Sequence, residues 1–272
     1  MKGNSMATII LDDLTLFHDI SGSGEPIVLL HAGICDHRMW DPQWPHITQR
    51  YHAVRLDLPG FGRSTLPSAA FAQHDVVLRL MDHLGINRAV LIGASFGGGV
   101  ALDVALVAPD RVRGLILAAP AVNGAVLGPE VEAFGDQEDA LIDSGDLDGA
   151  AQLNVDFWLV GSRRAAEDVD PGLRQAVFSM QRGSFDVPVP EGCRSIKLDP
   201  PAAIRLHEIQ APTLVICGLL DTPGFVHLAR RAAHEIPNAQ LWECPNVAHL
   251  PTLEDPASTT IRIVEALSQF MG

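Results

Sequence analysis

Twelve residues constrain this chain more than any others: Ala89-Val-Leu-Ile-Gly-Ala-Ser-Phe-Gly-Gly-Gly-Val100. The short apolar run Ala89–Ile92 reads as a strand buried on both faces. It breaks into glycines around Ser95, and a helix-forming run over Val100–Ala105 follows. Gly93-Ala-Ser-Phe-Gly97 fits G-x-S-x-G, a pattern short enough to recur by chance in a glycine-rich chain. Its flanks give it meaning. Strand, sharp turn and helix together hold a serine at the tip of the turn with its hydroxyl exposed. The new helix aims its first N–H groups at the same spot.

The rest of the chain repeats this rhythm. Strands are predicted over Thr8–Leu11, Thr15–Ile20, Ile27–Leu30, Ala53–Asp57, Ala89–Gly93, Gly114–Ala118, Thr213–Cys217 and Gln240–Glu243. Helices are predicted over Ala70–Leu84, Phe96–Ala108, Gly224–Glu235 and Pro256–Met271, the first from Val76, Leu80 and Leu84 at i, i+4 and i+8. Apolar strands alternating with helices imply an α/β fold, a mostly parallel sheet covered on both faces, opened by an antiparallel hairpin. Between 121 and 208 the rhythm stops, and 16 acidic against 7 basic side chains place nine of the chain's fourteen net negative charges there. Structureless loops of that length are rare. The expected organisation is a core of 1–120 and 209–272 interrupted by a helical lid at 121–208; the alternative is a long surface excursion from a plain α/β domain.

Composition limits the function classes. With 47% hydrophobic and 19% charged residues the chain is globular, and 272 residues suffice for one full-sized core. No apolar run reaches the roughly 18 residues of a membrane span. The net charge of −14 disfavours nucleic acid and anionic membranes, which need Lys and Arg to meet phosphates. Met1–Ser5 precede a second methionine at Met6 and are set aside; the N-terminal stretch lacks the basic flank and apolar core of a secretory signal. Cys35, Cys193, Cys217 and Cys244 are too scattered for a zinc or redox motif, so a reduced, cytoplasmic setting is expected. No glycine-rich phosphate loop or metal-ligand cluster stands out, and neither cofactor nor metal is expected.

A serine hydroxyl is a poor nucleophile unless a base takes its proton. Among eleven histidines, His74, His83, His227 and His234 read as solvated side chains on helices or exposed segments. His249 lies in Pro245-Asn-Val-Ala-His-Leu-Pro251, a loop between the last strand and the last helix, which a parallel sheet brings to the edge that carries Ser95. The base in turn needs a carboxylate to hold its tautomer. Asp221, in Cys217-Gly-Leu-Leu-Asp-Thr-Pro223, follows a strand at the same edge; its competing reading is a helix cap, a role open to Thr222 as well. Asp57 is the other carboxylate to weigh, though it precedes the serine's strand.

With these residues in hand, the chain resembles the α/β-hydrolase-fold superfamily, in the branch of enol-lactonases, cofactor-free haloperoxidases and small carboxylesterases. The resemblance rests on Leu30-His-Ala-Gly-Ile34, Asp57-Leu-Pro-Gly-Phe-Gly-Arg-Ser64, Gly93-Ala-Ser-Phe-Gly97, Gly218-Leu-Leu-Asp221 and Asn246-Val-Ala-His249. It implies an eight-stranded sheet, a Ser95–His249–Asp221 triad, and an oxyanion hole from the Phe96 amide and a second one at Gly33, or at Ile34. Relatives usually read His-Gly where this chain has His31-Ala32. His31 is expected to brace that loop.

Phe157-Trp158 followed by Arg163-Arg164 resembles a lid helix that lowers an aromatic over the serine, with plain lid packing the alternative for Trp158. Arg163 and Arg164 are read as exposed lid charges paired with nearby acids, the alternative being contact with a substrate carboxylate. Ile34, Trp40, Phe96, Phe225 and Leu250 neighbour the catalytic loops, and Ile34, Trp158, Phe225 and Leu250 are taken as substrate-binding. The implied activity is hydrolysis of an ester, lactone or related acyl bond of a small, largely apolar molecule through an acyl-enzyme. Perhydrolysis, carbon–carbon hydrolysis, lyase chemistry and a non-catalytic small-molecule receptor use the same scaffold and stay open. Haloalkane and epoxide cleavage need an Asp where Ser95 stands. A homodimer through the C-terminal helix or a lid face is also left open.

Overall fold

A computed structural model describes residues 5–271. Ten strands are β1 (Ser5–Leu11), β2 (Leu14–Ser21), β3 (Pro26–Leu30), β4 (His52–Leu56), β5 (Ala70–Phe71), β6 (Ala89–Ala94), β7 (Val112–Ala118), β8 (Arg194–Ser195), β9 (Thr213–Gly218) and β10 (Ala239–Cys244). The helices are α1 (Trp44–Thr48), α2 (Gln73–His83), α3 (Phe96–Val107), α4 (Pro129–Asp143), α5 (Leu147–Asn154), α6 (Pro171–Ser184), α7 (Pro223–Glu235), α8 (Pro251–Glu254) and α9 (Pro256–Met271).

Eight strands form one sheet in the order β1-β2-β4-β3-β6-β7-β9-β10. β2 pairs antiparallel with both neighbours, and the other pairings are parallel. These eight are the strands the apolar runs predict; seven are extended by one or more residues, and β4 is shifted by one, gaining His52 and leaving Asp57 outside. β5 and β8 pair only with each other.

Side-chain alternation along the strands feeds two cores. Val28 and Leu30 on β3, with Leu91 on β6 and Leu115 on β7, pack on one face against Val76 and Leu80 of α2 and Val100 and Val104 of α3. Ile27, Leu29, Val90, Ile92 and Ile116 pack on the other against Ile47 of α1 and Ile263 and Leu267 of α9. The segment between β7 and β9 adds Val155, Leu159, Val177 and Met180 to this second core. Its helices α4 and α6 run 15 and 14 residues.

Two local expectations change. The helix expected from Ala70 starts at Gln73, because Ala70 and Phe71 pair with Arg194 and Ser195 more than a hundred positions away. His74, read as solvated, is buried at 8% exposure. Among the described residues no helix is long and apolar enough to cross a membrane.

Candidate active site

β6 ends at Ala94 and α3 begins at Phe96, so Ser95 makes the whole turn. Its backbone sits at φ +45°, ψ −112°, a conformation that non-glycine residues rarely adopt. Such strain persists only where neighbours over-determine it. Here the Ser95 N–H donates to Ala118 O at 2.8 Å, and its carbonyl accepts from the Gly99 and Ala121 N–H groups at 3.0 and 2.9 Å. The serine, not a glycine, takes the left-handed geometry. The adjacent glycines serve close approach: a Cβ on Gly93 would strike Gly97 O, and one on Gly97 would strike Leu30 O.

The structure brings three sequence-selected side chains together. The Ser95 hydroxyl donates to His249 Nε2 at 2.8 Å, and His249 Nδ1–H donates to Asp221 Oδ2 at 2.7 Å. His249 and Asp221 are buried at 3% and 4% exposure. The two readings of Asp221 separate cleanly: Thr222 Oγ1 caps α7 through Phe225 N–H, while Asp221 Oδ1 accepts Thr222 N–H at 2.7 Å and Oδ2 is left for the histidine. Asp57 lies elsewhere, its carboxylate accepting from His37 N–H and Nδ1–H and from Arg63 N–H. Burial pushes its carboxyl up, but the bonds from His37 outweigh this and hold it below the usual range.

His31 braces the loop after β3. Its Nδ1–H donates to Ala32 O at 2.8 Å and its Nε2 accepts Leu58 N–H at 2.9 Å, and complete burial lowers its pKa. Ala32 N–H is directed at Met39 Sδ and Cys35 N–H at Ala32 O. That leaves Gly33 and Ile34, with Phe96 across the gap, as amides without a protein acceptor among the described residues. Gly33 backs directly onto the Phe96 side chain.

A cavity of about 360 Å³ opens on Ser95 and His249, and Gly33, Ile34 and Trp158 line it. Trp158 lies within a π-helical turn over Val155–Val160, and its ring lies 4.5 Å from the His249 imidazole. Phe225 and Leu250, expected in the substrate wall, are not among the lining residues. Phe225 is 3% exposed and meets the imidazole edge-on at 4.4 Å, and Leu250 is fully buried in the second core. Neighbouring a catalytic loop in sequence put both behind it in space. Trp40, likewise fully buried, belongs to the same core.

Glu254 escaped the sequence reading. Its side chain is 3% exposed and clamps the histidine loop from both sides: Oε2 accepts Ala248 N–H and Oε1 accepts Leu250 N–H, each at 2.8 Å. Burial pushes its carboxyl above the ordinary range, opposed by those N–H groups and by Arg164. Arg164 pairs with Glu254 and donates to Val160 O at 3.0 Å and Asn246 O at 3.3 Å, tying the inserted segment to the loop. The only sequence signal was an acid five residues after the histidine, at the end of a very short helix.

Comparison with known proteins fits this arrangement. Residues 27–262 match the alpha/beta hydrolase family. The chain belongs to that family. This α/β hydrolase is 26% identical to the pimeloyl-acyl-carrier-protein methyl ester esterase of Vibrio cholerae serotype O1, over 93% of this chain and 98% of that one. The solved structure of Est816, described as an N-acyl homoserine lactone degrading enzyme, superposes with TM-score 0.74 at 26% identity, over 95% of this chain and 99% of that one. The enol-lactonase from Burkholderia xenovorans LB400 superposes with TM-score 0.78 over 96% and 100% of the two chains; at 22% identity this likeness concerns the fold. The α/β hydrolase described here is an enzyme of the hydrolase class.

Proposed function

We propose that the enzyme hydrolyses an ester or lactone bond of a small, largely apolar molecule through an acyl-enzyme on Ser95. The observation behind this reading is the hydrogen-bonded relay from Asp221 through His249 to a Ser95 hydroxyl that opens into the cavity. In the acylation step Ser95 Oγ attacks the carbonyl carbon while His249 Nε2 takes its proton. Asp221 holds the tautomer and stabilises the imidazolium that forms. The new oxyanion lies against the Phe96 and Gly33 N–H groups, a pairing worth a few kcal/mol of barrier. Collapse expels the alkoxide with the proton from His249, and a water activated by the same base attacks the acyl-enzyme. The inserted residues 121–208 act as the lid, with Trp158 as its wall over the imidazole. The esterase and lactone-degrading activities named for two relatives support the substrate class.

The test is hydrolysis of p-nitrophenyl acetate and butyrate by wild type and Ser95→Ala, with circular dichroism on both. The variant is expected to keep the fold and lose about 10⁴-fold or more in kcat. Equal rates in two folded proteins would refute the acyl-enzyme and leave a receptor or a lyase on this scaffold.

A further inference from the structure

The cavity has a second polar end, away from the triad. Glu138 of α4, Asn154 at the end of α5 and Gln181 of α6 line it. Both amide protons of Asn154 are already committed, one to Glu138 Oε1 at 2.5 Å and one to Ala150 O at 3.0 Å. The other Glu138 oxygen has no protein partner among the described residues. Gln181 is 5% exposed, yet its Oε1 is buried without a hydrogen-bond partner.

No Lys or Arg is among the lining residues. A carboxylate half out of water with no cation beside it is in an unfavourable position. Burial accordingly raises the Glu138 pKa, with Asn154 opposing and Asp139 adding to the rise. The rest of this wall is aromatic: Phe134, Trp158 and Phe185 line the same space, and Phe134 meets Trp158 edge-on at 5.2 Å. Aromatic faces attract cations and repel anions. An acid with one oxygen free, among aromatic rings and without a basic residue, forms a receptor for positive N–H donors.

We propose that Glu138 forms a subsite for a protonated amine carried by the substrate on the side facing the inserted helices. This rests on reading the cavity as the substrate site and adds the class of substrate to it. The ammonium donates to the free Glu138 oxygen, against the aromatic wall of Phe134, Trp158 and Phe185. A carboxylate there meets Glu138 with no counter-ion, so substrates with an anionic far end are excluded.

Binding can be measured without turnover. Calorimetric titration of the Ser95→Ala protein at about pH 8 would compare n-hexylammonium, hexan-1-ol and hexanoate; the amine is charged under these conditions. The ammonium ion is expected to bind at least about tenfold more tightly than the alcohol, and the alcohol more tightly than hexanoate. Glu138→Gln should bring ammonium and alcohol to within about twofold of each other. Hexanoate binding as well as the ammonium ion, or an ammonium advantage that survives Glu138→Gln in a folded protein, would overturn the subsite. Binding by none of the three probes would overturn it too. Loss of Ser95-dependent p-nitrophenyl butyrate hydrolysis would instead strike the acyl-enzyme, whatever the probes do.

Discussion

Replacing Glu254 gives the sharpest measure of how the histidine is held. Its two oxygens accept the Ala248 and Leu250 N–H groups that bracket His249, and its charge faces Arg164. Glu254→Ala leaves those two backbone donors and a largely buried guanidinium without an acceptor. Breaking a buried pair by removing one partner costs about 3–5 kcal/mol. At about 2–3 °C per kcal/mol for a chain of this size, the melting midpoint should fall by roughly 6–15 °C.

Glutamine is no rescue. One of its two positions becomes an NH₂ group, a donor facing an N–H or the arginine, so Glu254→Gln should cost nearly as much. Activity carries the second half of the reasoning. A base displaced by about 1 Å loses on the order of 10²-fold in rate, so p-nitrophenyl butyrate kcat should drop by that factor at 20 °C, where both variants remain folded. Urea unfolding followed by circular dichroism gives the stability, and initial rates give the activity. A loss below about 1 kcal/mol, or full kcat in a destabilised variant, would show that the loop holds His249 without the clamp.

Two other outcomes follow from backbone strain and from a buried acid. Ser95→Gly should be more stable than Ser95→Ala by about 1 kcal/mol, because both lose the hydroxyl but only glycine relaxes at φ +45°; at an ordinary site alanine would be the more stable, and finding that order in urea titrations would refute the strain. Asp103 has a buried oxygen without a partner, and burial pushes its pKa up to about 6. An acid whose folded pKa is raised is destabilising once ionised, so the penalty grows between about pH 4 and 6 and stays constant above. Asp103→Asn should therefore gain about 1–2 kcal/mol at pH 8, after allowance for solvent screening, and nothing near pH 4; equal gains at both values in urea titrations would show that charge is not the cause.

Much of the architecture was legible because it rests on local pattern. A strand buried on both faces must be apolar throughout, and β3, β6, β7 and β9 announce themselves that way. The strand–serine–helix unit at Ser95, and the loops after β9 and β10, mark one edge of the sheet, which is how Ser95, Asp221 and His249 could be singled out together. Phe225 and Leu250 show where such reasoning stops: chain adjacency says that a residue is near the histidine, not on which side of it. Glu254, Glu138 and Gln181 were invisible for a related reason. An acid or amide on a helix looks solvated until another element covers it, and here the cover is the inserted segment or the histidine loop itself.

The sequence by itself determined the eight strands of the main sheet, their parallel alternation and the residues that reach the sheet's C-terminal edge, since periodicity and turn chemistry act over a few residues. Tertiary structure alone decided which face of each loop looks into the cavity, which acids lose their water, and how Arg164 and Glu254 lock the histidine in place. Those depend on contacts such as Arg164 with Glu254, 90 positions apart, and burial, unlike periodicity, exists only once distant segments have met.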